Sequence, residues 1–216
     1  MENNVESSCE KLGCGFILLK NYITLTDQVE IVNLCQELGL GLHGFEERIP
    51  DGEKLGLHSM LLGPKWYSFG YPLNMVPDKI LSLAKSSIQD SQPHLNLKDE
   101  ISSMCPDHCI VKFYTNTAPL ALHEEPDDWC SIKTKPVVSI FIGDTTEFFY
   151  GNSRNVNDED KALLESGDVL ILDRNFGDIF LGLHRIIPNS APLPILKKCM
   201  LKPGLLNLSF REFREF

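Results

Sequence analysis

Short apolar segments separated by turn residues make up the second half of the chain, and this pattern constrains the fold more than any other feature of the sequence. Such segments are typical of strands in an antiparallel architecture, in which each strand is brief and a turn follows it. From residue 109 onward the pattern predicts strands at 110–114, 137–142, 147–150, 168–172, 179–183 and 205–211. The sequence therefore predicts an all-β second half.

The last of these segments alternates strictly between two kinds of side chain. Successive residues of a strand point to opposite faces of the sheet. The two sets are Leu205, Asn207, Ser209 and Arg211 on one face and Leu206, Leu208 and Phe210 on the other. We expect the first set to line a pocket and the second set to pack in a hydrophobic layer.

The first half of the chain is predicted to contain one strand and two helices. Residues 16–19 form an apolar run that predicts a buried strand. In the helix that follows, Asp27 and Glu30 have the spacing of a capping box, apolar residues recur every three or four positions, and Gly39 ends the pattern. We expect its apolar face to cover a sheet. A second helix, over about 78–89, is expected to pack in the core.

Two segments of the first half show no sustained periodicity of apolar residues. Residues 1–12 are polar and are predicted to be disordered. Residues 39–75 are rich in glycine and aromatic residues and are predicted to form a long loop or lid. The aromatic side chains of this lid could stack nucleic-acid bases or pack the loop onto the rest of the fold. They are Trp66, Tyr67, Phe69 and Tyr71.

Length, charge and cysteine usage limit the classes of protein to which the chain can belong. Its 216 residues predict one domain over 13–216, with a helical and lid region at 13–108 and a β core at 109–216. A net charge of −10 opposes nonspecific attraction to phosphates, so any nucleic-acid contact must be local. No apolar run is long enough for a membrane span, the first residues are acidic, and seven irregularly spaced cysteines predict reduced thiols. We expect a monomer in the cytoplasm or nucleus.

Five segments carry a recognisable combination: 111–114 (VKFY), 122–125 (LHEE), 136–143 (PVVSIFIG), 165–170 (ESGDVL) and 207–211 (NLSFR). In this order they resemble the AlkB-like iron(II)/2-oxoglutarate-dependent dioxygenases, in particular a branch known from plants. The resemblance covers residues 14–213. It implies an α+β, mainly β fold, a double-stranded β-helix or jelly roll, with the N-terminal helices packed on one sheet. It also implies iron(II) and 2-oxoglutarate as cofactors.

The resemblance implies an iron site made of two histidines and one carboxylate, which leaves three positions open for 2-oxoglutarate and oxygen. His123 and Glu125 stand at the family's His-x-Asp pair, and residues two apart in a strand point to the same side. Glutamate in place of aspartate moves the carboxylate outward by about 1.5 Å. Relatives with His-x-Glu exist in the wider superfamily, so this change is compatible with iron binding.

A leucine stands where the family has its second histidine. That histidine lies in an aromatic-His-Gly sequence, which here is Phe180-Leu181-Gly182. Leucine cannot bind iron. His184 is the alternative ligand, but an offset of three residues directs its side chain to the face opposite Leu181 unless a bulge or loop intervenes. The other interpretation of His184 is a surface histidine or one that supports a ligand.

The family's closing strand reads Arg-x-Asn-x-[Ser/Thr]-x-Arg. The resemblance therefore implies cosubstrate contacts from Asn207, Ser209 and Arg211, whereas Leu205 replaces the leading arginine. Losing that bidentate, charge-assisted contact costs about 1.5–3 kcal/mol.

A second basic residue stands close to the position of the lost arginine. Tyr114 matches the family tyrosine that hydrogen-bonds 2-oxoglutarate, and Lys112 stands where relatives carry asparagine. One hypothesis is that Lys112 replaces the lost cation and keeps a dicarboxylate pocket. The other, which the sequence favours, is that Lys112 and Arg211 pair with Glu125 and fill the metal site with an internal salt bridge.

Three functions follow from these residues. The leading hypothesis is a family member with an incomplete metal site and weak or absent catalysis, because loss of a ligand lowers metal affinity. The first alternative is an active oxidative demethylase of N-alkylated nucleic-acid bases, in which His184 or water completes the site. The second alternative is a non-catalytic protein-interaction module that uses the lid aromatics.

Overall fold

Two antiparallel sheets face each other, and three helices cover the outer side of the larger sheet. The computed structural model describes residues 7–41, 44–47, 56–64, 74–95, 101–115, 123–124, 135–151, 160–173 and 179–213. The predicted jelly roll, mainly β with helices packed on one sheet, is confirmed. None of the helices within these ranges is both long and apolar enough to span a membrane.

The described strands form a larger sheet and a smaller sheet. In spatial order the larger sheet contains β1 (Ser8–Lys11), β2 (Phe16–Lys20), β10 (Val169–Leu172), β7 (Val137–Gly143), β12 (Leu205–Arg211), β5 (His108–Tyr114), β4 (Leu57–Leu62) and β3 (Glu46–Glu47). The smaller sheet contains β6 (His123–Glu124), β11 (Phe180–Ile186), β8 (Thr146–Gly151) and β9 (Asp160–Leu164). All pairings between these strands are antiparallel.

The helices are α1 (Leu25–Leu40), α2 (Asp78–Ser91) and α3 (Leu193–Cys199). Helix α1 begins one turn earlier than the predicted capping box. The backbone N–H of Asp27 donates to the Thr24 hydroxyl at 3.2 Å, and that hydroxyl donates to the Asp27 carboxylate at 2.7 Å. The cap is therefore Thr24 with Asp27, and the predicted pair of Asp27 with Glu30 is wrong.

Two layers of buried side chains hold the fold together. One fills the space between the larger sheet and the helices, and the other fills the space between the two sheets. The helices contribute Ile31, Val32, Cys35, Ile80, Ala84 and Ile88 to the first layer. Each large apolar side chain that is fully buried contributes about 1.5–3 kcal/mol. The predicted packing of both helices is confirmed.

Several elements lie where the sequence predicted no strand or helix, among them β9. Strand β1 falls within residues 1–12, so the prediction of disorder is wrong there, and β3 and β4 fall within the predicted loop of residues 39–75. Helix α3 was also missed, although proline near its start and the pair Ile195 and Cys199 are typical of a short helix. Strands β1 and β4 form because they satisfy the backbone edges of β2 and β5, a long-range effect that leaves little local pattern.

A buried ion pair joins β2 to the turn before β10. The Asp168 carboxylate is fully buried and accepts hydrogen bonds from the Lys20 ammonium at 2.6 Å, the Asn21 backbone at 2.9 Å and the Glu165 backbone at 2.8 Å. Gly167 occupies the left-handed region, with φ of 96°, in the tight turn between β9 and β10. This turn fixes the start of β10 beside β2.

Candidate active site

A cavity of about 110 Å³ lies between the two sheets. One water molecule needs about 10–15 Å³, so this volume has room for a small molecule. The larger sheet contributes polar side chains to its wall, and the smaller sheet contributes apolar ones. The polar side chains are Lys112, Tyr114, Ser139, Asn207, Ser209 and Arg211. We call this set the polar wall.

Strand register brings the predicted cosubstrate residues together on the polar wall. Strands β5 and β12 are neighbours, with Lys112 opposite Asn207 and Tyr114 opposite Leu205. On the far side of β12, Ser209 lies opposite Ser139 of β7. The alternation predicted for residues 205–211 is present, because Leu206, Leu208 and Phe210 lie in the layer under the helices.

Arg211 is the most deeply placed cation of the polar wall. Its side chain lines the cavity although the residue is only 5% exposed. Within the described part of the chain, its Nε and Nη1 atoms are buried without a hydrogen-bond partner, while the residue as a whole has other interactions in the protein. Buried nitrogens of a guanidinium fit a carboxylate, because a carboxylate can accept two parallel hydrogen bonds from it. The polar wall therefore fits 2-oxoglutarate.

Ser139 is a cavity residue that sequence analysis missed. Its hydroxyl lies 2.8 Å from the Ser209 hydroxyl, so the two side chains share a hydrogen bond across the β7–β12 ladder. Asn207 donates its side-chain N–H to the backbone oxygen of Ile140 at 3.3 Å. These contacts fix part of the polar wall in place. The available signal was a lone serine in the otherwise apolar segment 137–142.

The candidate metal residues are placed as follows. Strand β6 contains His123, of which the structure describes the backbone, and Glu125 lies outside the described residues. The ladder between β6 and β11 sets Leu181 directly opposite His123, and the Leu181 side chain lines the cavity. Among the described residues, no three His, Cys, Asp or Glu side chains come together as a metal site. The described stretch of β11 that lines the cavity therefore offers iron no side-chain donor.

His184 lies on the outer face of the smaller sheet, away from the cavity. Its imidazole stacks on the ring of Phe149 with centroids 4.3 Å apart and planes 11° from parallel, and the Lys161 ammonium lies 4.6 Å from the same ring. The pairing of β11 with β8 is irregular between Leu183 and Arg185. Such an irregularity could have turned the His184 side chain towards the cavity. The imidazole nevertheless points outward, and His184 is not among the residues that line the cavity with Leu181. Its role as a metal ligand stays a prediction from the sequence.

The aromatic residues of the proposed lid fall outside the described residues. They are Trp66, Tyr67, Phe69 and Tyr71. Their role at the cavity remains a prediction from the sequence.

Comparison with known proteins gives the class to which this fold and cavity belong. The model of the 2OG-Fe(II) oxygenase superfamily matches residues 15–211. The chain therefore belongs to the 2OG-Fe(II) oxygenase superfamily, whose cofactors are iron(II) and 2-oxoglutarate. This agrees with the polar wall, which fits the cosubstrate.

Similar proteins narrow the class to the AlkB type. The DNA N(6)-methyladenine demethylase ALKBH1C of Arabidopsis thaliana is 40% identical over 92% of this chain and 48% of its own length. An alpha-ketoglutarate-dependent dioxygenase AlkB homolog of Caulobacter vibrioides is 33% identical over 50% of this chain and 46% of its own length. The structure of OsALKBH1 superposes with a TM-score of 0.83 at 36% identity, covering 95% of this chain and 100% of that one. The resemblance to AlkB-like dioxygenases is confirmed, and the chain spans about half the length of the curated relatives it matches.

Proposed function

We propose that the chain is an AlkB-type oxygenase domain that keeps its cosubstrate wall but has an incomplete iron site, so that oxidative demethylation of nucleic-acid bases is weak or absent. The observation that carries this proposal is the position of Leu181, which lines the cavity directly opposite His123 in the strand ladder. A leucine has no lone pair to offer a metal. The resemblance to the family implies a histidine at this position.

The size of the expected effect follows from general metal-site energetics. Changing a group that only supports a ligand typically lowers metal affinity or activity about 10- to 100-fold. Losing a direct ligand should cost at least as much. A site reduced to His123 and Glu125 would then hold iron(II) at least 10- to 100-fold more weakly than a complete site.

The polar wall supports binding of the cosubstrate itself. Tyr114, Asn207, Ser209 and Arg211 would hold 2-oxoglutarate through hydrogen bonds to its oxygens, and Lys112 lines the same wall. When bound together, iron(II) and 2-oxoglutarate supply the oxidising chemistry of this superfamily. The chain's own contribution is to bind and orient the dicarboxylate under an apolar cover formed by Phe148, Leu181 and Leu183.

A working demethylase is the second candidate function, and the names of the relatives favour it. Two Arabidopsis thaliana proteins that are 40% and 36% identical to this chain are named DNA N(6)-methyladenine demethylases. In this case water would have to complete the iron site, because His184 faces away from the cavity. We also propose that the protein is a monomer in the cytoplasm or nucleus and that its contacts with nucleic acid are local. Both candidate functions are compatible with these properties.

Anaerobic titration with iron(II) and 2-oxoglutarate tests the proposal. A complete site gives a visible charge-transfer band when both bind, and we expect no band at micromolar iron. Formaldehyde release from oligonucleotides that contain N-methylated adenine, measured in air, should likewise stay at background. A band at micromolar iron, or turnover above background that depends on added iron, would show that the site is complete enough for catalysis and would overturn the proposal.

A further inference from the structure

A second cavity, of about 490 Å³, lies on the side of the larger sheet that faces the helices. The C-terminal ends of α1 and α3 and the strands β4, β5 and β12 line it. Phe113 of β5 and Leu206 of β12 belong to its floor, and both side chains point away from the polar wall. We call it the helix-side cavity. The larger sheet therefore separates it from the cavity between the two sheets.

We propose that the helix-side cavity binds a single-chain anionic amphiphile of the kind of a medium-chain fatty acid. The hydrocarbon chain lies on the apolar floor, and the carboxylate lies at Lys202, which lines the same cavity. This inference goes beyond the proposed function and depends on neither iron nor 2-oxoglutarate.

The volume of the helix-side cavity suits a ligand of this size. Pockets that bind small molecules usually have about 300–1,000 Å³. At about 490 Å³, the helix-side cavity lies in this range and is more than four times as large as the cavity of about 110 Å³ between the sheets. It therefore has room for a chain of about ten carbons and a headgroup.

Two large apolar side chains of the helix-side cavity are almost fully exposed. Leu40, the last residue of α1, is 91% exposed, and Met200, the residue after α3, is 84% exposed. Both line the cavity, and they are the two most exposed large apolar side chains in the described part of the chain. A hydrocarbon chain in the cavity removes apolar surface of both residues from water, which favours binding.

The charge at the helix-side cavity has one sign. Lys202 lines it and makes no ion pair within the described residues, and the described lining residues include no aspartate or glutamate. Lys197 and Lys198 lie in the last turn of α3, which ends at this cavity. Because the whole chain has a net charge of −10, this positive region is local. Charge complementarity therefore favours an anionic headgroup over a neutral or cationic one.

The two helix ends oppose an anion only in part. The C-terminal end of a helix carries partial negative charge on its last carbonyl groups. Hydrogen bonds within the protein satisfy carbonyl groups at both ends. The Leu38 oxygen accepts from the Gly41 backbone at 3.2 Å, and the Cys199 oxygen accepts from the Gln36 side chain at 3.0 Å. These capped carbonyl groups offset only part of the attraction by the full charge of the Lys202 ammonium.

The experiment compares ligands that differ in the length of the chain or in the headgroup. Isothermal titration calorimetry of the full chain uses decanoate, hexanoate and decan-1-ol. Each buried CH₂ group is expected to increase affinity about fourfold, so decanoate should bind at least about 30-fold more tightly than hexanoate. Lys202→Gln should lower the affinity for decanoate by about 3- to 10-fold and change that for decan-1-ol by less than about twofold.

Exposed positions allow variants of the cavity that leave the core intact. Leu40→Gln combined with Met200→Gln should lower the affinity for decanoate at least about 10-fold. The matched control is Leu193→Gln combined with Met75→Gln, because these side chains are also exposed, at 65% and 62%, and are not among the lining residues. Lys85→Gln, at an exposed lysine of α2, is the control for Lys202→Gln. Both controls should leave the affinity for decanoate unchanged.

Excess 2-oxoglutarate should also leave the affinity for decanoate unchanged, because the polar wall lies on the other face of the larger sheet. Competition between the two ligands would place decanoate between the sheets and overturn the inference. None of these titrations contains iron, so a charge-transfer band in the wild type would overturn the proposed function and leave this inference standing.

Four other results would overturn the inference. The first is absence of decanoate binding up to about 1 mM. The second is equal affinity for decanoate in the wild type and in the variant of Leu40 and Met200, which would place the ligand elsewhere. The third is an unchanged preference for decanoate over decan-1-ol in Lys202→Gln, which would make the site a neutral apolar one. The fourth is sedimentation with phosphatidylglycerol vesicles that requires Leu40 and Met200, which would make the site a membrane contact.

Thermal unfolding of each variant identifies any loss of fold. If the variant of Leu40 and Met200 unfolds, the comparison of decanoate with hexanoate in the wild type and the titrations of Lys202→Gln still decide the question.

Discussion

Leu181 lies directly across from His123 in the ladder that joins β11 to β6. In an antiparallel pair, opposed positions bring Cβ atoms to within about 4.5–5.5 Å of each other. Leu181 lines the cavity, so the β11 residue opposite His123 presents an apolar side chain to the cavity. A histidine at position 181 would be positioned to bind the same metal ion as His123.

The first prediction is that a metal site can be restored at this place. The double variant Leu181→His with Glu125→Asp should show the visible charge-transfer band on anaerobic addition of iron(II) and 2-oxoglutarate, whereas the wild type should not. The reason is that the added imidazole supplies the missing donor and the shorter carboxylate removes a displacement of about 1.5 Å.

Leu183→His is the matched control for this variant. Leu183 also lines the cavity, but it pairs with Phe148 and lies two residues further along β11. Combined with Glu125→Asp, a histidine at position 183 should give no band. A band of equal strength from both variants would mean that position 181 has no special relation to the iron site.

The second prediction concerns the imidazole on the outer face of the smaller sheet. His184→Ala should change neither the affinity for 2-oxoglutarate nor the affinity for iron(II) by more than about twofold, because the ring stacks on Phe149 away from the cavity. Anaerobic calorimetry measures both affinities. A loss of iron(II) affinity of 10-fold or more would make His184 a ligand and contradict its placement on the outer face.

The third prediction concerns the ion pair between Lys20 and Asp168. Lys20→Met should lower the free energy of unfolding by about 3 kcal/mol, because it leaves a fully buried carboxylate without its cation. Urea denaturation monitored by circular dichroism measures the loss. The control is Lys79→Met at the exposed pairs with Asp27 and Glu30, which should have a clearly smaller effect because solvent screens exposed ion pairs. Equal losses of stability in Lys20→Met and Lys79→Met would contradict the assignment of Lys20 and Asp168 as a stabilising buried ion pair.

The same lysine predicts a dependence of stability on pH. Burial by itself would lower the pKa of Lys20, but hydrogen bonds and charge pairing with Asp168 and Glu165 outweigh it and raise that pKa. Because the pKa is higher in the folded state, the stabilisation is complete below about pH 10.5 and is lost as the pH rises through the folded value. The wild type should therefore lose its advantage over Lys20→Met at alkaline pH, and a constant difference up to pH 12 would contradict this account.

The fourth prediction concerns thiol reactivity. Burial raises the pKa of the Cys35 thiol to about 12 and that of Cys109 well above its ordinary value, whereas Cys105 is exposed. At pH 8, only about one Cys35 side chain in ten thousand is a thiolate, the form that reacts. Pulse labelling with iodoacetamide followed by peptide mass spectrometry should modify Cys105 in the folded protein and Cys35 and Cys109 only in urea. Equal labelling of all three cysteines in the folded protein would contradict the burial of Cys35 and Cys109.

The sequence predicted which face of β12 lines the cavity. Asn207, Ser209 and Arg211 line the cavity as their alternation indicated, because the parity of a residue along a strand fixes its face. His184 obeys the same rule, since its offset of three residues from Leu181 places it on the opposite face despite the irregularity in the pairing with β8. Ser139 was missed because its partner, Ser209, is 70 residues away in the sequence.

Local periodicity was sufficient to determine α1, α2, the apolar layer beneath them and the two faces of β12, because these depend on residues that are near each other in the chain. Tertiary structure alone decided that β1 and β4 are strands, that Leu181 lies opposite His123, and that Lys112 and Arg211 line the same cavity. Each of these depends on which backbone edges pair and in which register, and hydrogen bonds between distant segments set that register.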